Sequence, residues 1–470
     1  MIGRRGLRLP VRIHCIAFAA FVLLLVSVAT RASDIAPPPV KRAGSSDKIC
    51  QLTGDTDWET GRPTAARTFT NFGLDATDLG YPVEHNGKLI LLFGDSWPAH
   101  HPAGTVKEVG PDDAVGRVTR TNPPGSDGDC LGMAINVEPG SPKTFAPATV
   151  VDPNPIKQGL FNVPTGGVSA AGGLYAFFWT NHCSPPNPLH PSADQPLARP
   201  PATANCPESD DRNSIGNGIL ARSDNEGRTF SGAVPMPPGF VYSIAVNTEI
   251  EVGLPPNQHL GILIFGVPRY RASIPFLATA SVEAFANPGS WRFFVGLTET
   301  GTPRWVTFEE WAGGKRPTTS AWKPPGTPEI FSPSTPADEC VGEFSVTWNS
   351  GLGEWLLLNN CSGAIWARVA TLPWGPWSRS TMILSGQDNL GCHLKMAPEG
   401  CGSRRDFWPN RHKDEKFTAG GLYAPYVLNR YTRTATAEGS SRASTIYWLV
   451  STWNPYEVSV MRTTLQTQSK

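Results

Sequence analysis

The stretch Lys88-Leu-Ile-Leu-Leu-Phe-Gly-Asp95 is an almost uninterrupted apolar run that ends in an acid. Four later stretches share its character, and they are Gly173-Leu-Tyr-Ala-Phe-Phe-Trp-Thr180, His259-Leu-Gly-Ile-Leu-Ile-Phe-Gly266, Glu354-Trp-Leu-Leu-Leu-Asn359 and Ser444-Thr-Ile-Tyr-Trp-Leu-Val-Ser451. Successive runs begin 85 to 95 residues apart. Continuous apolar strands are typical of sheets covered on both faces, and small sheets repeated at constant spacing stack around an axis. The pattern predicts an all-β, five-bladed β-propeller.

A second strand-like segment follows four of these runs, at residues 218–223, 275–280, 364–369 and 458–463. Three of these segments lead to a glycine and then an aromatic residue, which is Phe230, Trp291 or Trp377. Ser223-Asp-Asn-Glu-Gly-Arg-Thr-Phe230 resembles the Asp-box turn of sialidase-type propellers, with Asn in place of Asp and Phe in place of Trp. We expect it to be a hairpin within a blade rather than a catalytic site. A β-sandwich with coincidental spacing is the alternative fold.

The composition excludes several classes of protein. Among 470 residues there are 47 Gly, 46 Pro and 15 Trp, and only 17% are charged. A coiled coil would be rich in Ala, Glu, Lys and Leu, and a disordered chain would have few aromatic residues and a high net charge. The formal net charge is +0, so no electrostatic footprint for nucleic acid is present.

The amino end has the pattern of a secretory signal peptide. Four arginines precede an apolar run over residues 13–28, and small residues follow it. We predict a signal peptide over 1–32, a flexible proline-rich leader over 33–48 and a single propeller domain over 49–470. The mature protein is expected to be secreted, extracellular, monomeric and without a membrane attachment. An uncleaved anchor is the alternative, although a run of about 16 residues is short for a full span.

Eight cysteines remain after residue 32, and an even number in an exported chain indicates disulfides. Sequence proximity suggests the pairs Cys183–Cys206, Cys340–Cys361, Cys392–Cys401 and, by what remains, Cys50–Cys130. Other pairings stay open, because eight cysteines can be joined in about 105 ways. No two cysteines have zinc-site spacing, and His182 and His393 lie in no metal-binding motif. We therefore expect neither a metal ion nor another cofactor.

Two acids stand at matching places in the repeat. Asp78 and Glu343 each lie thirteen residues before the leucine at the centre of a strand, Leu91 or Leu356, in blades one and four. Asp95 ends the first of the apolar runs. A glycoside hydrolase needs one carboxyl group that protonates the leaving oxygen and another that activates water or attacks the anomeric carbon. The alternative for each acid is a local hydrogen bond to turn amides.

Polar and aromatic residues of the fifth blade are candidates for contact with sugar. They are Tyr423, Tyr426, Trp453, Asn454 and Tyr456, of which the last four are our predicted substrate-binding residues. Aromatic rings at the mouth of a channel would stack on sugar rings. Packing between blades explains aromatic residues equally well, and it is the alternative.

Several motifs are similar to the family catalogued as domain of unknown function 4185. They are Thr77-Asp-Leu-Gly-Tyr-Pro82, Gly87-Lys-Leu-Ile-Leu-Leu-Phe-Gly-Asp-Ser-Trp97, Gly342-Glu-Phe-Ser345, Tyr423-Ala-Pro-Tyr426 and Ser451-Thr-Trp-Asn-Pro-Tyr-Glu-Val458. The resemblance covers roughly residues 66–465. It implies a five-bladed propeller, and some members are endo-D-arabinanases of glycoside hydrolase family 183. Insertions at 98–145, 183–212, 312–338 and 390–416 distinguish this chain, and we expect them to reshape the mouth of the site.

The functional hypothesis is a secreted glycoside hydrolase that acts on a polysaccharide such as an arabinofuranan. Asp78, Asp95 and Glu343 are its predicted catalytic residues. The motifs lead us to expect Glu343 as the general acid, Asp78 as the base or nucleophile, and Asp95 as the group that orients the sugar or tunes a pKa. A non-catalytic carbohydrate-binding propeller and a protein-binding propeller are the alternatives.

Overall fold

The computed structural model describes residues 36–98, 112–125, 130–150, 162–180, 217–237, 239–250, 253–256, 258, 260–268, 271, 274–311, 330, 340–386, 388, 420–437 and 441–468. Strands dominate this part of the chain, and helix accounts for only 5%. Two single-turn helices cover Thr68–Phe72 and Phe308–Trp311, and two 3-10 turns cover Pro288–Ser290 and Asn429–Tyr431. No helix in the described ranges has the length and apolar character needed to span a bilayer.

The first thirteen strands form an amino-terminal pair, blade one, a separate hairpin and blade two. They are β1 (Lys41–Arg42), β2 (Asp47–Gln51), β3 (Leu79–His85), β4 (Lys88–Ser96), β5 (Asp112–Val118), β6 (Met133–Ile135), β7 (Val137–Glu138), β8 (Ser141–Phe145), β9 (Thr149–Val150), β10 (Asn162–Ala170), β11 (Gly173–Thr180), β12 (Asn217–Ser223) and β13 (Thr229–Pro235). Blade one has the order β3-β4-β5-β6, and blade two has the order β10-β11-β12-β13-β9.

The remaining strands build blades three, four and five. They are β14 (Tyr242–Thr248), β15 (Gly261–Val267), β16 (Phe276–Ser281), β17 (Arg292–Leu297), β18 (Pro303–Val306), β19 (Phe344–Asn349), β20 (Glu354–Cys361), β21 (Ala364–Ala370), β22 (Thr381–Ser385), β23 (Gly420–Val427), β24 (Arg433–Ala435), β25 (Ala443–Asn454) and β26 (Glu457–Gln466). Blades three and four are the meanders β14 to β18 and β19 to β22, and blade five is β23-β25-β26-β1 with β2 on β26 and β24 on β25.

The five innermost strands close a ring. β3 packs against β10, β10 against β14, β14 against β19, β19 against β23, and β23 against β3. This arrangement is a five-bladed propeller, so the predicted fold class is confirmed. The apolar runs are the second strand of each blade, covered on both faces, and every residue of β15 is buried.

The amino-terminal strands close the fifth blade. β1 and β2 pair antiparallel with β26, the last long strand of the chain. Val40 is buried, and the buried Ser46 hydroxyl bonds to the carbonyl of Ile383 and to Thr463. The first strand thus begins inside the segment 33–48 that we expected to be a leader. The composition of this segment does not indicate strands, because its strands form by pairing with β26. The predicted signal peptide lies outside the described residues.

Aromatic residues at the ends of the blades fill the space between neighbouring sheets. Phe230, Trp291 and Trp377, which the glycine-aromatic pattern singled out, are all buried. Trp291 of blade three stacks on Phe285, whose ring meets Tyr175 of blade two edge to face. Rings of this size bury large apolar areas, so these contacts hold adjacent blades together.

The hairpin between β12 and β13 has the geometry expected of a blade turn. The Ser223 hydroxyl oxygen accepts from the backbone N–H of Gly227 at 2.9 Å, and the Asn225 side-chain oxygen accepts from that of Thr229 at 3.0 Å. Gly227 has φ 80, a conformation that glycine adopts without strain. The side chains of the turn bond to its own backbone, so this segment is structural.

Two disulfides lie within the described residues, Cys50–Cys130 and Cys340–Cys361. Both agree with the predicted pairs. The first ties β2 to the end of the loop between β5 and β6, and the second joins the start of blade four to the end of β20. The other two predicted pairs, at residues 183 and 206 and at residues 392 and 401, lie outside the described residues.

Candidate functional site

Asp78 and Glu343 occupy equivalent places in blades one and four. Asp78 immediately precedes β3 and Glu343 immediately precedes β19, the innermost strands of their blades. The leucines used to align them also correspond, since Leu91 pairs with Pro82 and Leu356 with Thr347. The matched spacing in the sequence therefore places both acids at one end of the axial channel.

A bulge directs the Asp78 side chain. The pairing of β3 with β4 shifts between Leu79 and Tyr81, and Leu79 has φ 62, which is unusual for a residue other than glycine. The Leu79 N–H donates to the Ser451 hydroxyl at 2.8 Å, which anchors the bulge to blade five. Blade five repeats the device, because its strand shifts register after Tyr423 and Ala424 has φ 56. Bulges re-aim side chains in this way next to functional sites.

Asp78 is buried among hydroxyl groups and other acids. Its Oδ2 accepts hydrogen bonds from the hydroxyls of Tyr456 at 2.6 Å and Tyr423 at 2.8 Å. Burial, together with the charges of Asp95 and Glu343, raises the pKa of Asp78 to about 8 against the lowering effect of the two hydroxyls. The carboxyl group therefore holds its proton at neutral pH.

The other oxygen of Asp78, Oδ1, has no hydrogen-bond partner among the described residues. It lies against Gly94 in β4, where a Cβ atom would approach it to 2.6 Å. Glycine at this position leaves the space that the carboxyl group occupies. Since Oδ2 accepts from both tyrosines, the proton of the neutral acid belongs on Oδ1.

Asp95 joins the same cluster through Tyr456. The Tyr456 hydroxyl lies 3.5 Å from Asp95 Oδ2. Distances of 2.6 Å and 3.5 Å from one hydroxyl limit the separation of Asp78 Oδ2 and Asp95 Oδ2 to about 6.1 Å. Asp95 is half-buried near the end of β4, so it is more open to solvent than Asp78.

Glu343 is paired with an arginine from blade three. Arg271 Nη2 donates to Glu343 Oε1 at 2.9 Å, and the guanidinium lies 5.5 Å from the centre of the Tyr423 ring. The Glu343 side chain is 2% exposed, whereas that of Arg271 is 45% exposed. Arg271 thus covers the buried carboxylate from the solvent side. Asp78, Tyr423, Arg271 and Glu343 form a continuous line of contacts across the channel.

Tyr426 lies below the acid cluster and does not join it. Its hydroxyl bonds to that of Tyr242 at 2.7 Å, and its ring meets Tyr81 edge to face at 5.0 Å. Tyr426 is fully buried, so in this structure it fills the axis instead of presenting a face to a sugar. The Tyr81 hydroxyl donates to the carbonyl of Ala245. Together these tyrosines form a floor beneath the carboxyl groups.

The other predicted sugar-binding residues differ in their surroundings. Trp453 is half-buried and meets Tyr456 edge to face at 5.6 Å. Tyr456 is buried, and it contacts the acids through its hydroxyl. Asn454 is the last residue of β25, and its side chain lies outside the described part. Trp453 is therefore the one described member of this set whose ring is partly exposed beside the cluster.

A family model described as "Domain of unknown function (DUF4185)" matches residues 216–462, which is more than half of the chain. The chain belongs to the DUF4185 family. The matched segment contains Arg271, Glu343, Tyr423 and Tyr456, and the motifs that carry Asp78 and Asp95 precede it. A search of curated protein sequences gave no significant match.

The solved structures that are similar to this DUF4185 protein include two of galactanases and one of a sialidase. Two are exo-β-1,3-galactanases from Phanerochaete chrysosporium with β-1,3-galactotriose, at 9% and 8% identity and TM-scores of 0.36 and 0.35. Each match covers 88% of this chain and 64% or 63% of the galactanase, so the chain spans less than two thirds of their length. The third is the NanB sialidase of Streptococcus pneumoniae, at 8% identity and TM-score 0.32, covering 90% of this chain and 71% of the sialidase.

Two members of the cluster were among neither the predicted catalytic nor the predicted substrate-binding residues. Arg271 follows β15 in a loop with no recognisable motif, and only closure of the ring brings it to Glu343. Tyr423 was noted as an aromatic residue of blade five, but its hydrogen bond to Asp78 was not foreseen. A signal for it exists: Tyr423 stands three residues before Tyr426, as Asp78 stands three before Tyr81. Among the described residues, no group of three or more His, Cys, Asp or Glu has a metal-binding arrangement.

Proposed function

We propose that this DUF4185 protein is a glycoside hydrolase that cuts a polysaccharide at the carboxyl cluster of the channel. The observation that carries the proposal is the convergence of Asp78 and Glu343 from different blades, with Asp95 beside Asp78. One group in the cluster is suited to hold a proton and another is paired with a cation. That combination is what acid-assisted cleavage of a glycosidic bond requires.

Asp78 is suited to be the general acid. Burial and the neighbouring Asp95 charge raise its pKa to about 8, so it carries the proton that a general acid must donate at neutral pH and below. The proton is directed away from the two tyrosines, since Oδ2 accepts both of their hydrogen bonds. This exchanges the roles expected from the sequence, in which Glu343 was the acid and Asp78 the base.

Glu343 is suited to be the base or nucleophile. Its ion pair with Arg271 requires the ionised carboxylate, and the Tyr423 ring and Arg271 separate it from Asp78. Asp95 lies on the same side as Asp78, and the two share one tyrosine hydroxyl. We therefore assign Asp95 the tuning role, in which its like charge keeps the proton on Asp78.

The substrate class comes from the family resemblance, which implies an arabinofuranan. The disulfides Cys50–Cys130 and Cys340–Cys361 support export, because such bonds persist in oxidising compartments, and the signal peptide expected over residues 1–32 agrees with it. We propose that the protein is a secreted monomer that binds its polysaccharide outside the cell.

The test is hydrolysis of D-arabinan and of a panel of other furanoside and pyranoside polysaccharides, followed by product chromatography. Asp78→Asn and Glu343→Gln should each lower kcat about 10²- to 10⁴-fold on a substrate that the wild type cleaves. Matched controls are Asp224→Asn and Glu84→Gln, which make the same chemical changes at exposed ion pairs. The wild-type rate should fall as pH rises through about 8, where Asp78 loses its proton.

Two outcomes would contradict the proposal. Full activity in both site variants would exclude Asp78 and Glu343 from catalysis. Binding of a polysaccharide by the wild type without release of any product would favour the non-catalytic carbohydrate-binding propeller.

A further inference from the structure

The Tyr456 hydroxyl is held between two carboxyl groups. It lies 2.6 Å from Asp78 Oδ2 and 3.5 Å from Asp95 Oδ2. The ring has little freedom to move, because it is buried and meets Trp453 edge to face. The backbone carbonyl of Tyr456 also accepts from the N–H of Thr77, the residue before Asp78. The tyrosine and the acid are thereby fixed to each other through both backbone and side chain.

Tyr423 provides a contrast within the same cluster. Its hydroxyl donates to the same oxygen of Asp78, at 2.8 Å. Within the described part of the chain, no hydrogen bond connects Tyr423 with Asp95. Its ring lies instead beside Arg271, which is paired with Glu343. Only one of the two tyrosines therefore connects Asp78 with a second acid on the same side of the channel.

The two acids differ in their access to water. Asp78 is 7% exposed, whereas Asp95 is half-buried. A general acid that has given its proton to a leaving group must be protonated again before the next turnover, and Asp78, at 7% exposed, has little direct contact with bulk water. We propose that Tyr456 is a positioning residue that relays a proton from Asp95 to Asp78, an inference that rests on the proposed function.

The relay step is balanced without any co-reactant. The O–H bond of protonated Asp95 breaks as its proton passes to the Tyr456 oxygen, and the proton of Tyr456 passes to Asp78 Oδ2. The Tyr456 to Asp95 distance shortens to hydrogen-bond length as this occurs. A half-turn of the Asp78 carboxyl group about its Cβ–Cγ bond then moves the protonated oxygen to the place of Oδ1, and the other oxygen again accepts from the two tyrosines. Tyr456 is neutral before and after, and the negative charge moves from Asp78 to Asp95, which then takes a proton from water.

The surroundings require the two transfers to be concerted. Burial raises the pKa of Tyr456 well above its usual value, and Asp78, Tyr423 and Asp95 add to this effect. A free phenolate is therefore not formed at the pH of the reaction. The remaining charges of the cluster, those of Glu343 and Arg271, are joined in an ion pair at 2.9 Å and neutralise one another.

The experiment compares Tyr456→Phe with its matched control Tyr423→Phe on a polysaccharide that the wild type cleaves. Each variant removes one hydrogen bond to Asp78, and only Tyr456→Phe removes the path to Asp95. We expect kcat to fall about 10²-fold in Tyr456→Phe and less than about tenfold in Tyr423→Phe. The pH profile of kcat should change shape in Tyr456→Phe alone, because a proton on Asp95 can then no longer reach Asp78. Equal losses with identical pH profiles would overturn the relay.

A second measurement does not depend on catalysis. Asp95→Asn is combined with each phenylalanine variant, and the urea midpoint of unfolding is measured at pH 6. The effects should be non-additive with Tyr456→Phe and additive with Tyr423→Phe. Additivity in both pairs would overturn the inference even if no substrate is found. Full activity of Asp78→Asn would instead contradict the proposed function. If Asp78→Asn is inactive but Tyr456→Phe and Tyr423→Phe lose the same amount of kcat, only the relay is contradicted.

Discussion

Replacing Asp78 by Asn should make the stability of the protein less dependent on pH. In the folded state burial, reinforced by Asp95, raises the pKa of Asp78 to about 8, and in the unfolded chain the ordinary value is 3.8. Between these values the folded state binds more protons than the unfolded state, so wild-type stability falls as pH rises. The slope is about 1.4 kcal/mol per pH unit, or about 3 kcal/mol between pH 5 and pH 7.

Asn is neutral at every pH and nearly isosteric, so Asp78→Asn removes this contribution. Its free energy of unfolding relative to wild type should rise by about 3 kcal/mol from pH 5 to pH 7. The assay is urea unfolding followed by tryptophan fluorescence, with the disulfides intact, at pH 5, 6 and 7. The exposed Asp224→Asn is the control for the loss of a surface carboxylate. A difference between Asp78→Asn and wild type that stays constant from pH 5 to pH 7 would refute the buried, protonated state of Asp78.

Three further predictions concern the packing, the disulfide framework and an acid with the opposite shift. Gly94→Ala should lower stability by about 1–3 kcal/mol and reduce kcat, since the new Cβ would meet Asp78 Oδ1 at 2.6 Å; unchanged unfolding and kinetics would contradict this. Replacing Cys50 and Cys130 together by Ser should lower stability by about 4 kcal/mol, because that disulfide closes a loop of 80 residues, and calorimetry would show it. Burial raises the pKa of Asp57, but the charge of Lys48 and the backbone N–H donors lower it by more in total, so the folded state favours the ionised carboxylate. Asp57→Asn should therefore destabilise the protein at pH 7, and progressively less as the pH falls below 4, in urea titrations.

The blade pattern was visible in the sequence because it is local. Each apolar run needs both faces covered, and that requirement appears as uninterrupted Leu, Ile and Phe wherever the run occurs. The equivalence of Asp78 and Glu343 followed from counting along two copies of the same repeat. It held because both acids immediately precede the innermost strand of their blades.

The contacts across the ring were not visible, because they depend on how distant blades meet. Arg271 reaches Glu343 from another blade, and no spacing in its own loop indicates this. Tyr426 and Tyr456 are aromatic residues of one blade, yet one fills the axis and the other bonds to Asp78. The residue type is the same in both cases, and the two tyrosines differ only in their depth along the channel, which the sequence does not show.

The edge of the fifth blade shows a similar limit. The segment around Val40 is rich in proline and serine, and its short strands lack an apolar alternation. Their order comes from hydrogen bonds to β26, more than 400 residues later in the chain. A strand that is ordered by pairing with a remote strand needs no alternation of apolar and polar residues in its own sequence, so the sequence does not reveal it.

The most direct test of the proposed hydrolysis is the crystal structure of Asp78→Asn soaked with an oligosaccharide of a cleaved polysaccharide. We predict a glycosidic oxygen within about 2.6–3.2 Å of the residue 78 side chain, and the anomeric carbon of the same linkage facing Glu343. An oligosaccharide bound elsewhere on the propeller, with the carboxyl cluster empty of sugar, would contradict the account.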